Sequence, residues 1–415
     1  MATQQEYFDE LETRDPNERL TAQFAALPAQ IAHAQQHSRA FARILVGVRS
    51  AEITSAAALA QLPVTRKSEL GELQKKDPPF GGLATVRPGE AAKIFSSPGP
   101  IYEPETHRKD YWRLARALFA AGFRKGDLVH NTFAYHLTPA GSMVETAAHA
   151  LGCAVIPGGV GQTELQAQAI ADLRPDGYVG TPSFLKILLD KANEMGADTS
   201  SLRKAAVSGE AFPPSMRKEF GRRGIEALQC YVTADLGSIA YESPAKEGMI
   251  VDEGVIVEIV QPGTGDPVTE GEVGEVIVTT FNPDYPLVRF ATGDLSAVLS
   301  GISPCGRTNM RIKGWLGRAD QTTKVRGMFV TPSQVAEVVK RHPEIKKARL
   351  IVDREGANDM MTLRCEIAGG GNDELAKTIG NSVREICKLR GEVVFEAPGN
   401  LANDGKVIDD VRKYE

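Results

Sequence analysis

Between Leu128 and Gly196, short apolar runs alternate with segments of helical period, and this alternation constrains the fold more than any other feature. Leu128-Val129-His130-Asn131 reads as a short strand. Gly152 to Gly159 reads as a buried strand ending in glycines, and Gly177-Tyr178-Val179-Gly180 as the next strand. A helix is expected over Thr163 to Leu173. A second begins at Thr181-Pro182, an N-cap hydroxyl followed by a proline whose missing N–H is not needed at the first helical position. Phe184, Leu185, Leu188, Leu189 and Ala192 line its apolar side, and Gly196 ends it. Strands separated by helices at this spacing predict an α/β fold with a mostly parallel sheet covered on both faces. Ligands in such sheets bind beyond the carboxyl ends of the strands.

At 415 residues the chain exceeds one ordinary core, so two or more domains are expected. A hydrophobic fraction of 42% and a charged fraction of 24% fit a soluble globular protein. A net charge of -5 offers no electrostatic reason to bind nucleic acid or an anionic membrane. No run reaches membrane-spanning length, and Met1 to Arg19 has no apolar signal core. Five cysteines (153, 230, 305, 365 and 387), odd in number and without C-x-x-C spacing, fit a reducing cytoplasm rather than a disulfide scaffold or a zinc knuckle. A cytoplasmic protein without zinc is expected.

Nucleotide chemistry is concentrated between Tyr285 and Gly327. Phe290 to Gly293 can turn tightly after an apolar run and leave Asp294 at a strand end, where a carboxylate accepts two hydrogen bonds from a vicinal diol such as a ribose. Arg318 brings a rigid, always-charged fork suited to phosphate or ribose oxygens. Gly314, Gly317 and Gly327 permit a bend between two domains. Either fragment alone favours a turn with a surface Asp and a solvated Arg. Their order, followed by Gly405-Lys406 in the tail, favours function.

At these residues the chain resembles the phenylacetate-CoA ligase family of the adenylate-forming (acyl-CoA synthetase) superfamily. Leu62-Pro63-Val64-Thr65-Arg66-Lys67 also resembles the turn that closes that family's helical N-terminal part. The resemblance implies a large N-terminal domain over 1–319, with a helical part over 1–75 and a β-subdomain at about 250–316. It implies a small mobile α+β domain over 320–415 with its hinge at Asp320. Asp294 would hold the AMP ribose. Lys406 would contact the carboxylate and α-phosphate as the acyl-adenylate forms.

The resemblance continues at four further segments. Ser96-Ser97-Pro98-Gly99-Pro100 occupies the place of the loop that cradles the ATP phosphates, keeping Ser96, Ser97 and Gly99 but neither threonine nor lysine. Pro98 and Pro100 remove two N–H donors, and Glu103 adds a charge of the wrong sign. Ser208-Gly209-Glu210 matches a Gly-Gly-Glu that packs against adenine. In Tyr231-Val232-Thr233-Ala234-Asp235, Tyr231 would stack on adenine, Thr233 would line the nucleotide site, and Asp235 would face Mg²⁺, a hard cation suited to carboxylate oxygens. Without the resemblance, Asp235 reads as a helix N-cap. Tyr135 and His136 lie in an aromatic loop that would wall the acyl pocket.

The function implied is an ATP-dependent, AMP-forming acyl/aryl-CoA ligase using ATP, Mg²⁺ and CoA. Its substrate would be a small-molecule carboxylate, aromatic by the resemblance. The altered loop at 96–104 keeps open a catalytically impaired nucleotide- or acyl-CoA-binding homologue. An adenylating enzyme with a non-CoA acceptor is also open. Family members are often homodimers, so that arrangement is expected from the resemblance alone.

Overall fold

The computed structural model describes residues 6–97, 100–321, 323–326, 328–355, 358–402 and 406–412. The chain divides into two compact units, Met1–Thr292 with Ser296–Trp315, and Leu316–Glu415 with Gly293–Leu295.

The first unit is built on a nine-stranded sheet. Ala154–Pro157, Leu128–Asn131, Gly177–Gly180, Lys204–Val207 and Glu226–Thr233 lie side by side in parallel. Helices Ala140–Leu151, Thr163–Leu173, Pro182–Met195 and Pro214–Arg222 connect or follow these strands. Thr181 Oγ1 accepts from the Phe184 N–H at 3.3 Å, and Gly196 closes that helix at φ +68°. Leu185, Leu188 and Leu189 are buried with Ile170, Tyr178 and Phe220. Beyond Thr233 the sheet changes character. Only a tight turn separates Glu226–Thr233 from Gly237–Glu242, a link too short for a crossover, so the second strand returns antiparallel. Met249–Val251, Arg311–Ile312 and Val298–Leu299 extend this antiparallel half.

A second sheet places Thr65–Arg66 beside Phe290–Ser296, followed by Gly274–Thr280 and Val255–Val260. The stretch at about 250–316 is therefore shared between two sheets. Helix Pro16–His37, capped by Asp15, contributes buried Leu27, Ile31 and Ala34 to the adjoining core. Arg289, almost wholly buried, sits where several segments meet. It donates to the carbonyls of Ala60 at 2.7 Å, Leu62 at 2.6 Å and Gly265 at 2.7 Å, and pairs with Glu258. That clamp seats the Leu62–Lys67 turn against the strand beginning at Phe290.

In the second unit, the antiparallel pair Ile345–Glu355 and Asn358–Ile367 is flanked in parallel by Ile408–Asp410 and Glu392–Glu396. Helices Pro332–Arg341 and Asp373–Cys387 bury Val335, Val338, Ile379 and Val383 in a common core with Leu350 and Leu363. Among the described residues no helix is long and apolar enough to cross a membrane.

Candidate active site

Lys93–Ser97 and Ile101–Glu105 form an antiparallel hairpin with Ser97 opposite Ile101. Its base is held by the Glu105 carboxylate, which accepts from Trp112 Nε1 at 2.6 Å, Lys93 Nζ at 3.0 Å and Ser142 Oγ at 2.8 Å. The Ser96 N–H donates to Leu137 O at 2.8 Å. Gly99 lies outside the described residues. Ser97 Oγ donates to Glu103 Oε1 at 2.5 Å. Glu103 is fully buried. Burial, followed by the nearby Asp235 charge, pushes its carboxyl up to about 8, so it is neutral at pH 7. The wrong-sign charge expected at this loop is thereby corrected: it is absent at neutral pH.

Asp235 lies in the tight turn between two strands and not at the start of a helix, which corrects its reading as an N-cap. Its Oδ2 accepts from Lys67 Nζ at 2.5 Å, and its buried Oδ1 has no hydrogen-bond partner among the described residues. Asp235's side chain is inaccessible, whereas a quarter of Lys67's is exposed. Glu103, being neutral, leaves one ammonium facing one carboxylate. Tyr285 is buried nearby, and burial, followed by the Asp235 charge, holds its hydroxyl proton tightly. The orphaned Asp235 Oδ1 is a suitable oxygen for a hard cation that also takes phosphate oxygens.

A pocket of about 190 Å³ adjoins this cluster. Ser97, Ser208, Gly209 and Thr233, proposed separately from sequence, all line it, and Ala234 leads from its wall to Asp235. Tyr135 and His136 are exposed and do not line this pocket; from the same loop, Phe133 and Thr138 do. The physical reason is a reversal at Leu137, φ +64°, which turns the loop back on itself. Tyr135's hydroxyl instead accepts from Asn131 Nδ2 at 2.8 Å.

Gly209, at φ +83°, turns the chain toward Glu210. Glu210 Oε1 accepts the Ser183 N–H at 2.6 Å, in the first turn of helix Pro182–Met195. Tyr231 is buried, and its hydroxyl donates to Thr292 Oγ1 at 3.2 Å. Thr233 Oγ1 accepts the Leu236 N–H at 3.2 Å.

In the second unit Asp294 pairs with Arg318 in strand register, and Arg318 Nη1 lies 3.1 Å from Asp294 Oδ1. Gly293, at φ +76°, permits this approach: a Cβ there would lie 2.7 Å from Arg318 Nη2. Asp320 falls in the 3-10 turn Ala319–Gln321. The Val407 N–H donates to Gln321 Oε1 at 2.8 Å, tying the tail to that turn. Lys406 is half exposed, and its Nζ lies 2.9 Å from Asp409 Oδ1. Gly327 and Gly405 lie outside the described residues.

Sequence reading missed Lys67 as a member of the polar cluster. The available signal was its position in the Leu-Pro-x-Thr-Arg-Lys turn, but nothing local connects it with Asp235, 168 residues away.

A family model described as AMP-binding enzyme matches residues 132–282. A phenylacetate-coenzyme A ligase of Aromatoleum evansii is 31% identical over 371 residues, covering 84% of this chain and 82% of that one. One of the same name from Thermus thermophilus is 31% identical over 425 residues, covering 97% and 94%. Among solved structures, an open conformation of 2-hydroxyisobutyryl-CoA ligase in complex with 2-HIB-AMP and CoA has a TM-score of 0.85 at 22% identity, covering 98% of this chain and 95% of that one. At that identity the likeness concerns the fold. The full-length sequence relationships are decisive: the chain belongs to the phenylacetate-coenzyme A ligase family of AMP-binding enzymes.

Proposed function

We propose that this chain activates a small, aromatic carboxylate with ATP and passes the acyl group to CoA. The observation that carries the reading is the convergence of Ser97, Ser208, Gly209 and Thr233 on one pocket beside the Lys67–Asp235 pair. A carboxylate oxygen attacks the α-phosphorus and forms the acyl–phosphate bond, while the bond to the β-phosphate breaks and pyrophosphate leaves. The CoA thiol then loses its proton and forms the C–S bond, and AMP departs with the electron pair of the broken C–O bond.

The side chains supply positioning and charge rather than covalent help. Asp294 accepts from both ribose hydroxyls, and Arg318 fixes its carboxylate. Ser208, Gly209, Glu210 and Tyr231 frame the adenine. Ser96, Ser97 and Thr233 offer polar groups along the phosphates and the reacting carboxylate. Lys67 provides a compact positive charge next to the 96–104 loop, which itself has no lysine. Asp235 Oδ1 would hold Mg²⁺, which when bound neutralises phosphate charge. Lys406 serves the first step. It is withdrawn for the second as the C-terminal unit turns about Asp320, and CoA then passes the loop at 324–328. A cytoplasmic location fits the five free cysteines, and a homodimer is proposed from the family resemblance alone.

Incubation with a carboxylate panel, ATP, Mg²⁺ and CoA should yield acyl-CoA and AMP in equal amounts. AMP and acyl transfer to an amine without CoA would indicate another acceptor. Nucleotide binding without any AMP formation would overturn the enzyme reading.

A further inference from the structure

A cavity of about 560 Å³ opens beside Arg124, Cys305 and Arg307. Arg124 precedes the strand Leu128–Asn131, so this cavity lies at the amino ends of the parallel strands, away from the pocket at their carboxyl ends. Of the five thiols, four are buried and Cys305 is half-buried. Its sulfur is surrounded by donors. The Cys305 N–H donates to Ser303 Oγ at 3.4 Å, which leaves the Ser303 proton to point at Sγ, 3.1 Å away. Arg307 Nη1 donates to Sγ at 3.6 Å. Burial pushes this thiol up, but hydrogen bonds from Ser243, Ser303 and Arg307 outweigh it and bring it below the usual thiol value. The other four go the opposite way: burial pushes Cys153 and Cys387 up to about 11, and Cys230 and Cys365 up to about 12.

The charges lining the cavity suit a ligand with groups of both signs. Arg307's side chain is 3% exposed; its Nη2 pairs with Glu12 Oε2 at 3.0 Å, and its Nε has no hydrogen-bond partner among the described residues. Arg124 Cζ lies 3.6 Å from the centre of the Phe119 ring. Burial, and after it the Arg307 charge, hold Arg124's pKa below its ordinary value against the pull of Asp127. Two cations that repel each other favour an anion beside both. Glu6, exposed on the same lining, suits an ammonium. We propose that Cys305 is a thiolation site that takes an amino-acid-derived thiol, bearing carboxylate and ammonium groups, from its disulfide. The Cys305 thiol gives its proton to solvent, and the thiolate attacks one sulfur of the low-molecular-weight disulfide. A new S–S bond forms as the old one breaks, and the second half leaves as a thiolate with that bond's electron pair. Arg124 and Arg307 receive the carboxylates and Glu6 the ammonium. The exchange is independent of the ligase reading, and excess free thiol reverses it.

Reduced full-length protein, incubated with glutathione disulfide as the probe and quenched by alkylation, should gain one glutathionyl group per chain, placed on Cys305 by peptide mass mapping. No addition at Cys305, or addition at a buried cysteine as fast as at Cys305, overturns the proposal. Arg124→Gln should slow the reaction with glutathione disulfide by about tenfold, the lower end for one hydrogen bond to a charged group. Its reaction with uncharged hydroxyethyl disulfide should change little. Equal slowing with both disulfides, or with neither, overturns the part given to the cations. If Arg124→Gln does not fold, the disulfide of glutathione esterified at its carboxylates makes the same decision on the wild-type protein. Addition about tenfold slower than with the free acid supports the proposal, and parity overturns it.

Discussion

Lys67 Nζ lies 2.5 Å from Asp235 Oδ2, joining a turn near the N-terminus to the end of the strand Glu226–Thr233. The pair is asymmetric: Asp235 is sealed from solvent and Lys67 is partly open to it. The lysine therefore compensates a buried charge while remaining reachable by an anionic ligand.

Removing the ammonium should expose that dependence. Lys67→Met leaves Asp235 as an uncompensated buried carboxylate, with an expected cost of about 3 kcal/mol, the lower end for breaking a buried pair because Lys67 is not fully buried. Adding Asp235→Asn should recover most of the loss. Urea unfolding of the single and double variants measures both effects.

Glu103 predicts a pH dependence. Its folded carboxyl is pushed up to about 8 from an ordinary 4.5, first by burial. Between these values the folded state holds a proton that the unfolded chain has released. Stability therefore falls as pH rises from about 4.5 to about 8, by at most ~1.4 kcal/mol per pH unit, and levels off above. Glu103→Gln should flatten this part of the curve. Asp110, pushed up to about 7 by burial, retains a slope of its own. Urea midpoints from pH 5 to 8.5 for both proteins provide the comparison.

The Asp294–Arg318 pair predicts nucleotide affinity. If Asp294 holds the ribose as proposed, Asp294→Ala removes two charge-assisted hydrogen bonds, and AMP binding should weaken by about 100-fold or more. Gly293→Ala should weaken it through another route, because the new methyl displaces Arg318 Nη2 and the positive φ becomes strained by about 1–2 kcal/mol. Calorimetric titration with AMP measures both variants.

Lys406 predicts a division between half-reactions. Lys406→Ala should slow adenylation by about 10²–10³, as for other preorganised charge donors. Thioester formation from supplied acyl-AMP should change far less. Equal losses in the two single-turnover assays would contradict the assigned role.

The fold was legible where the chain repeats a local rule. Strands ending in glycine, the Thr181-Pro182 cap and the apolar face from Leu185 to Ala192 each carry their meaning within a few residues. The antiparallel half of the large sheet was less legible. Its direction is set by the short turn after Thr233, and its outermost two strands, 298–299 at the edge and 311–312 beside it, are only two residues long. Ser97, Ser208, Gly209 and Thr233, which line one pocket, were singled out because each lies at or just beyond a strand end. Lys67 and the neutral state of Glu103 were not. One depends on a contact across 168 residues and the other on burial, and neither leaves a local pattern. Tyr135 was preferred to Phe133 because sequence does not reveal which way a loop's side chains turn.

Carboxylate-dependent exchange of labelled pyrophosphate into ATP tests the central claim most directly. The wild-type protein should exchange only when an aryl carboxylate is present, and folded Lys67→Met should lose about 10²–10³ of that rate. Absence of exchange with every carboxylate would contradict the adenylating function. An undiminished rate in Lys67→Met would contradict the place given to the lysine beside Asp235.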